Sequence, residues 1–389
     1  MIKRLKVNGY LSLVDAEIRF TPLTVLLGRN GAGKSALLDA LERLGSYARG
    51  GVERAFGPPP YSLEHLRSRG YGDMPETSFE VELTLDAEVY RYKLVLAERS
   101  GQAHVEQELL MRASGALLAA WSPQGRPISG TILRPDVPSP LSERIASHLK
   151  SVRIFDLDPR AIERPSEDGA SVLSRDGYGV AAYLGKLQEE DPARFADIEE
   201  RVRELRPGTM GLRVWGGGAG KLHWGIEDQR GESWRCPAPL LSWGDRVLVG
   251  ILCVLFAAEE GSVVGLEEID RGFHPSRYQA VVDLLSEAAY KGMGGRGPIQ
   301  IIATSHSPYL LDHFDAQDVL VTAVRPDGST ACARLTDHPD FERWKSTTRP
   351  GELWSFLGED WITQRASRRL DRAHRSRPPR SARSASSRS

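Results

Sequence analysis

The stretch Gly28–Ser35, GRNGAGKS, fits the spacing G-x-x-x-x-G-K-[ST]. Its chemistry is phosphate binding. Glycines let successive backbone N–H groups turn inward around phosphate oxygens, and a helix starting at the loop adds the positive end of its dipole. Lys34 then reaches the β and γ phosphates of a nucleotide, and the Ser35 hydroxyl is a ligand for Mg²⁺. Gly28, Asn30, Gly31, Gly33, Lys34, Ser35 and Ala36 are therefore the candidate ATP-binding residues. The context that the motif requires is present: an apolar strand pattern, Leu23–Leu27, precedes the loop, and ALLDALERL, apolar at helical spacing, follows it.

In a second stretch, SVVGLEEIDRGFHP (residues 262–275), an apolar run stops at two adjacent glutamates. Two carboxylates side by side repel each other, and a plain strand gains nothing from them. Beside a phosphate loop they acquire separate tasks. Glu267, ending the strand Val263–Leu266, holds Mg²⁺ through its water. Glu268 faces the other way if strand geometry persists, and there it orients or deprotonates the water that attacks the γ-phosphate. The plainer alternative is a solvated strand end, or a cap for the helix that follows Pro275.

Two further stretches carry weaker signals. Leu241–Arg246, LSWGDR, opens an apolar helix. Ser242 and Gly244 there are a second anion site at a helix N-terminus, or Ser242 is an ordinary N-cap. His306, in TSHSP, leaves the strand Ile299–Ala303 at the edge where such sheets present ligands, in reach of the γ-phosphate. Taken alone it reads as readily as a surface-loop histidine.

The elements that must position these residues follow from periodicity. Strands are expected over Ile2–Val7, Glu17–Phe20, Leu23–Leu27, Val152–Phe155, Val263–Leu266 and Ile299–Ala303. Ser78–Leu85 and Glu88–Leu96 alternate around Asp86-Ala87 as a hairpin, and Val105–Met111 and Leu117–Trp121 extend its sheet. Gly211–Trp215 with Lys221–Ile226, and Val319–Val324 with Ala331–Leu335, form two more hairpins. Helices are expected over Leu141–Lys150, Tyr178–Glu189, Pro192–Leu205, Trp243–Glu260, Pro275–Tyr290 and Ser307–Phe314. Residues 50–71 and 122–140 read as loops. Parallel-type buried strands alternating with helices, and interrupted by antiparallel hairpins, define a mixed α/β chain.

The 389 residues, 40% hydrophobic, suffice for a full core. Net charge is −1, but residues 362–389 hold nine Arg against one Asp, so the rest carries about −9. This Arg/Ser-rich tail has too little apolar surface to offset ordering and is expected to be disordered, either contacting nucleic acid or anionic lipid or simply solvated. Cys236, Cys253 and Cys332 show no metal or paired spacing. No secretion signal opens the chain, and its longest apolar run, Val247–Ala258, is too short to span a bilayer. A cytoplasmic protein without a membrane partner is expected.

Four motifs in this order, GRNGAGKS, LSWGDR, VVGLEEIDRGFHP and IIATSHSPYLLD, resemble those of ABC-type ATPase heads of the RecF, SMC and OLD group. DGYGVAAYL (Asp176–Leu184) and GELWSFLG (Gly351–Gly358) are similar to flanking segments of short RecF-like ATPases. The resemblance implies a P-loop NTPase fold with a mixed, mainly parallel core sheet. One head would cover residues 1–361, with an antiparallel β insertion at about 45–150, a helical signature lobe at about 160–260 and the second half of the core sheet at 261–361. It implies that Glu268 is the hydrolytic glutamate, His306 the switch histidine and Asp270 part of a relay across a dimer. Ser242 and Gly244 would reach the γ-phosphate held by the opposite subunit, so two heads would sandwich ATP and Mg²⁺ head to tail. A magnesium-sensing glutamine is also implied, with Gln102, Gln107 and Gln124 as alternatives. The 205 residues between Ser35 and Leu241 show no heptads, against a coiled coil, and the 83 after His306 show no nuclease-like acid cluster. The expected function is an ATP-driven dimer switch in DNA repair or phage defence. The alternatives are a transporter's nucleotide-binding subunit and a non-hydrolysing scaffold. DNA is a candidate partner, with Arg67, Arg69, Arg153, Arg160 and Arg164 as candidate contacts, and an effector protein is another.

Overall fold

The computed structural model describes residues 1–58, 60–68, 76–122, 132–133, 139–167, 172–217, 220–228, 234–345, 347–358 and 361–363. Its strands are, in chain order, β1 (Ile2–Tyr10), β2 (Leu13–Arg19), β3 (Leu23–Leu27), β4 (Glu76–Leu85), β5 (Glu88–Arg99), β6 (Gln102–Arg112), β7 (Leu117–Trp121), β8 (Arg153–Phe155), β9 (Ser166–Glu167), β10 (Thr209–Gly216), β11 (Lys221–Asp228), β12 (Trp234–Pro237), β13 (Val263–Leu266), β14 (Gln300–Ser305), β15 (Val319–Val324) and β16 (Thr330–Arg334).

The central sheet has the order β16-β15-β3-β14-β13-β8 and is parallel except for the β15–β16 hairpin. β3, β13 and β14 are buried at every residue, as parallel strands covered on both faces must be. Strand alternation divides their side chains between two cores. Val25, Leu27, Val264, Leu266, Ile301 and Ala303 face one, while Leu26, Val263 and Ile302 face the other.

The first core is closed by helices Val180–Glu190, Pro192–Leu205, Trp243–Ala257 and Tyr278–Tyr290 and by the small sheet β10-β11-β12, with β9 on β11. Helix Trp243–Ala257 is buried continuously from Gly244 to Phe256, which accounts for its unbroken apolar run. The second core lies between the central sheet, the helix Lys34–Phe56 and an antiparallel sheet of order β2-β1-β4-β5-β6-β7. That sheet joins two strands preceding the phosphate loop to four following it. Asp86 and Ala87 turn its β4–β5 hairpin at φ of 47° and 64°, the left-handed pair that a tight two-residue turn needs.

One expected loop is partly helical. The helix that starts at Lys34 continues past a bend at Gly51 to Phe56, and Leu63–Leu66 adds a further turn. Glycine costs a helix about 1 kcal/mol, but Ala55 and Phe56 are buried in the second core and Arg43 donates to the Ala55 carbonyl at 2.9 Å. Burial outweighs the breaker signal. The strand Trp234–Pro237, which pairs with β11, was not expected from the sequence. Much of the expected loop 122–140, and the tail from 364, lie outside the described residues. No helix among the described residues is long and apolar enough to cross a membrane.

Glu108 of β6 ties the antiparallel sheet to the helix behind it. It is fully buried and accepts hydrogen bonds from Tyr47 of helix Lys34–Phe56, from Tyr92 of β5 at 2.8 Å and from the Ile132 backbone N–H. A buried donor left without its partner costs about 1–3 kcal/mol. Glu108→Ala is therefore expected to lower the unfolding free energy, read by urea titration, by roughly 3 kcal/mol or more. Glu108→Gln, which keeps an acceptor oxygen, should lose less; equal losses would assign the effect to volume alone.

Candidate nucleotide-binding site

Parallel pairing sets the site. β3, β14 and β13 run in one direction, with Leu27 opposite Ser305 and Leu266 opposite Ala303. The residues that follow these strands, the phosphate loop, His306 and Glu267-Glu268, therefore emerge at one sheet edge. There an open cavity of about 400 Å³ is lined by Ser12, Asn30, Gly31, Gly33, Lys34, Ser35, Ala36, Glu268, Thr304 and His306.

The loop is held in shape from within and from behind. Gly33 has a φ of 89°, and a Cβ there would stand 2.0 Å from Thr330 Oγ1 of β16, so only glycine fits. The buried Lys34 Nζ donates to the carbonyl oxygens of Gly28 at 2.6 Å and Arg29 at 3.0 Å. It also lies 3.2 Å from His306 Nδ1. The same nitrogen lies 3.2 Å from the Gly28 carbonyl oxygen. Nε2 lies 3.4 Å from Glu268 Oε1.

The two glutamates part as expected, but by a different route. Strand geometry does not persist past Glu267. The Glu267 N–H still bonds the Phe155 carbonyl at 2.8 Å, whereas Glu268 has a φ of 48°, left-handed for a residue with a side chain. Its N–H donates to Thr304 Oγ1 at 2.8 Å, and the Ile269 N–H to the Thr304 carbonyl at 3.0 Å. This turn folds Glu268 over the cavity. Glu267 instead accepts from Ser35 Oγ at 2.7 Å and from Arg175 Nη2 at 2.6 Å. Ser35 and Glu267 thus form one hard-oxygen pair, which suits Mg²⁺ completed by water and nucleotide phosphates. The described residues contain no cluster of three or more His, Cys, Asp or Glu that could cage a metal.

Arg271 binds Glu268 Oε2 through Nε at 2.9 Å and reaches Asp156 Oδ1 through Nη1 at 2.9 Å. Burial pushes the Glu268 carboxyl upward, but hydrogen bonding and charge from Arg271, then from His306, outweigh it and hold its pKa below the ordinary 4.5.

Ser242, Gly244 and Asp270 do not line the cavity. Ser242 caps helix Trp243–Ala257, accepting from the Asp245 N–H at 3.1 Å. Gly244 packs against the loop after the glutamates: a Cβ there would lie 2.7 Å from the Gly272 carbonyl oxygen. Asp270 Oδ1 is buried with no hydrogen-bond partner among the described residues. Gln102 and Gln107 lie on β6 and line no part of the cavity, and Gln124 lies outside the described residues. Of the basic candidates, Arg67 pairs with Glu98 at 3.9 Å, Arg153 donates to the Leu173 carbonyl, Arg160 lies over Trp243, and Arg164 lies over Tyr178. Arg69 is outside the described residues. Sequence reasoning missed Ser12, Thr304, Arg175 and Arg271. Only Arg271, three residues after Glu268, carried a local signal.

Sheet order, phosphate loop and paired acids define a P-loop ATPase of the ABC/SMC type. Over residues 23–118 and 138–312 the chain matches the family described as "AAA domain, putative AbiEii toxin, Type IV TA system", and it belongs to that family. It is 29% identical over 206 residues to a phosphonates import ATP-binding protein of Thiobacillus denitrificans, covering 49% of this chain and 77% of that protein. In fold it is similar to the SMC head bound to the C-terminal winged-helix domain of ScpA, with a TM-score of 0.57, 15% identity, and 85% and 96% of the two chains covered. It is also similar to an SMC head with an extended coiled coil, bound to the C-terminal domain of ScpA derived from Pyrococcus furiosus. There the TM-score is 0.55 and the identity 13%, with 89% and 99% covered.

The Glu268 shift has a signed consequence. A carboxyl whose folded pKa is depressed stabilises fully above its unfolded value, near 4.5, and that contribution disappears as pH falls through the folded value. Glu268→Gln is expected to flatten the loss of thermal stability below pH 4.5 relative to the parent chain. Parallel profiles would show that the Arg271 contact does not carry it.

Proposed function

We propose that this chain is a Mg²⁺-dependent ATPase whose two copies close head to tail on ATP, as a switch in phage defence or DNA maintenance. One observation carries the reading. Lys34, Glu268 and His306 converge on one open cavity with the Ser35–Glu267 pair at its side, while Ser242 and Gly244 stand apart from it. Trp243 and Leu240 beside them are exposed, at 49% and 68%. In this reading the site has every group for binding and water activation and is completed by the signature stretch of a second copy.

The division of labour follows from the side chains. The loop N–H groups and Lys34 hold the β and γ phosphates and stabilise charge as it develops. Ser35 and Glu267 would hold Mg²⁺, which would supply charge neutralisation to the phosphates. Glu268 orients the attacking water and takes its proton, after leaving Arg271. His306, at the end of β14 beside Lys34 and Glu268, donates toward the γ-phosphate. Asp270 is proposed to act across the dimer. We further propose one head over residues 1–361.

The family description, with its toxin of a type IV toxin–antitoxin system, supports defence more than repair. Both SMC heads are bound to a domain of ScpA, which supports a protein effector as partner. A transporter's nucleotide-binding subunit is the second reading, favoured by the likeness to the phosphonate importer component. The 205-residue separation of Ser35 from Leu241 supports the first.

The test is the solution mass of Glu268→Gln with and without Mg·ATP, beside turnover by the parent chain. ATP-dependent conversion of monomer to dimer, with slow turnover by the parent, is expected. A variant that binds ATP yet stays monomeric would remove the role given to Ser242 and Gly244. Turnover absent from the parent chain would point to a scaffold.

A further inference from the structure

The two glutamates are held in the same way. Each bonds an arginine whose guanidinium also bonds a second acid: Glu267–Arg175–Glu42 and Glu268–Arg271–Asp156. Glu42 lies about two turns beyond Ser35 on helix Lys34–Phe56. Arg175 therefore spans from that helix to the carboxylate whose other oxygen faces Ser35.

The backbone behind Arg175 is fixed. The Asp156 N–H bonds the Arg175 carbonyl and the Asp158 N–H bonds the Asp176 carbonyl, both at 2.9 Å, so this loop continues the ladder beyond β8. Ser174 N–H bonds the Tyr178 carbonyl at 2.9 Å and closes the loop, which runs directly into helix Val180–Glu190. Gly177, at a φ of 86°, lies so close to Ile162 that a Cβ would approach it to 2.6 Å. The arginine side chain is 45% exposed. An ion pair that open adds little to stability. A two-pronged guanidinium on a rigid loop is instead suited to fixing a carboxylate's orientation.

We infer that Arg175 is a positioning residue for the metal carboxylate: it holds Glu267 so that its second oxygen stays aimed at Ser35, ready for Mg²⁺. The inference rests on the Mg·ATP reading of the site and goes beyond it, because it gives the loop before helix Val180–Glu190 a part in metal affinity.

The test titrates Mg²⁺ against binding of a fluorescent ATP analogue to the full chain. Arg175→Ala is expected to raise the half-saturating Mg²⁺ about 10–100-fold, the usual effect of removing a group that orients a metal ligand. Analogue affinity at saturating Mg²⁺ should converge on the parent value. Arg175→Lys, which keeps the charge but not the fork, should recover only part. Glu42→Gln, which frees the far end of the bridge, should shift in the same direction by less, and it serves as the second variant if Arg175→Ala folds poorly. A Mg²⁺ requirement unchanged or lowered in these variants overturns the inference. Binding to the parent chain that ignores Mg²⁺ overturns the metal-site reading first, and the inference with it.

Discussion

The rest of the structure depends on the parallel register of β3, β14 and β13. Parallel strands end on the same side of a sheet, so three segments far apart in sequence deliver their next residues to one edge. Leu27 beside Ser305 and Leu266 beside Ala303 fix the phosphate loop, His306 and the two glutamates within one or two residues of the same line. Antiparallel pairing would send these chain ends to opposite sides. The price is burial on both faces, and the two cores exist to supply it.

The candidate site is internally bonded at the glycine-rich loop and strained at Glu268. Lys34 bonds the loop carbonyls of Gly28 and Arg29 and lies against His306, which ties the loop to the end of β14. Glu268 sits in a left-handed turn, bonded through its backbone to Thr304 and through its carboxylate to Arg271. A residue held in that region costs of order 1–3 kcal/mol unless its surroundings over-determine it. Here the end of β14 does so. Each acid of the pair is thereby neutralised by a cation of its own, which is how two adjacent carboxylates coexist at a sheet edge.

The signature helix is joined to this edge within the same chain. Gly244 meets Gly272, four residues past Glu268, at a distance that excludes a Cβ. Asp245 in the helix's first turn bonds Arg277 at 2.7 Å and Arg206 at 3.3 Å. Burial raises its pKa, but these arginines and the Ser242 cap outweigh it and keep the carboxyl low. The charged turn is thus a rigid connector between the acid pair's loop and the helical lobe.

The sequence by itself determined the phosphate loop, the strand–helix order around it and the adjacency of the acids, because each is set by neighbours within a few residues. Even the Asp86-Ala87 hairpin was legible, since turn chemistry is local. Tertiary structure decided what depends on partners distant in sequence. Helix Lys34–Phe56 runs past Gly50 and Gly51 because its end is buried against a sheet formed by other segments. Glu268 leaves strand geometry because Thr304, 36 residues later, offers its hydroxyl. Arg175, 92 residues before Glu267, could not be assigned to it by any spacing, for the contact exists only where the end of β8 brings its loop beside β13.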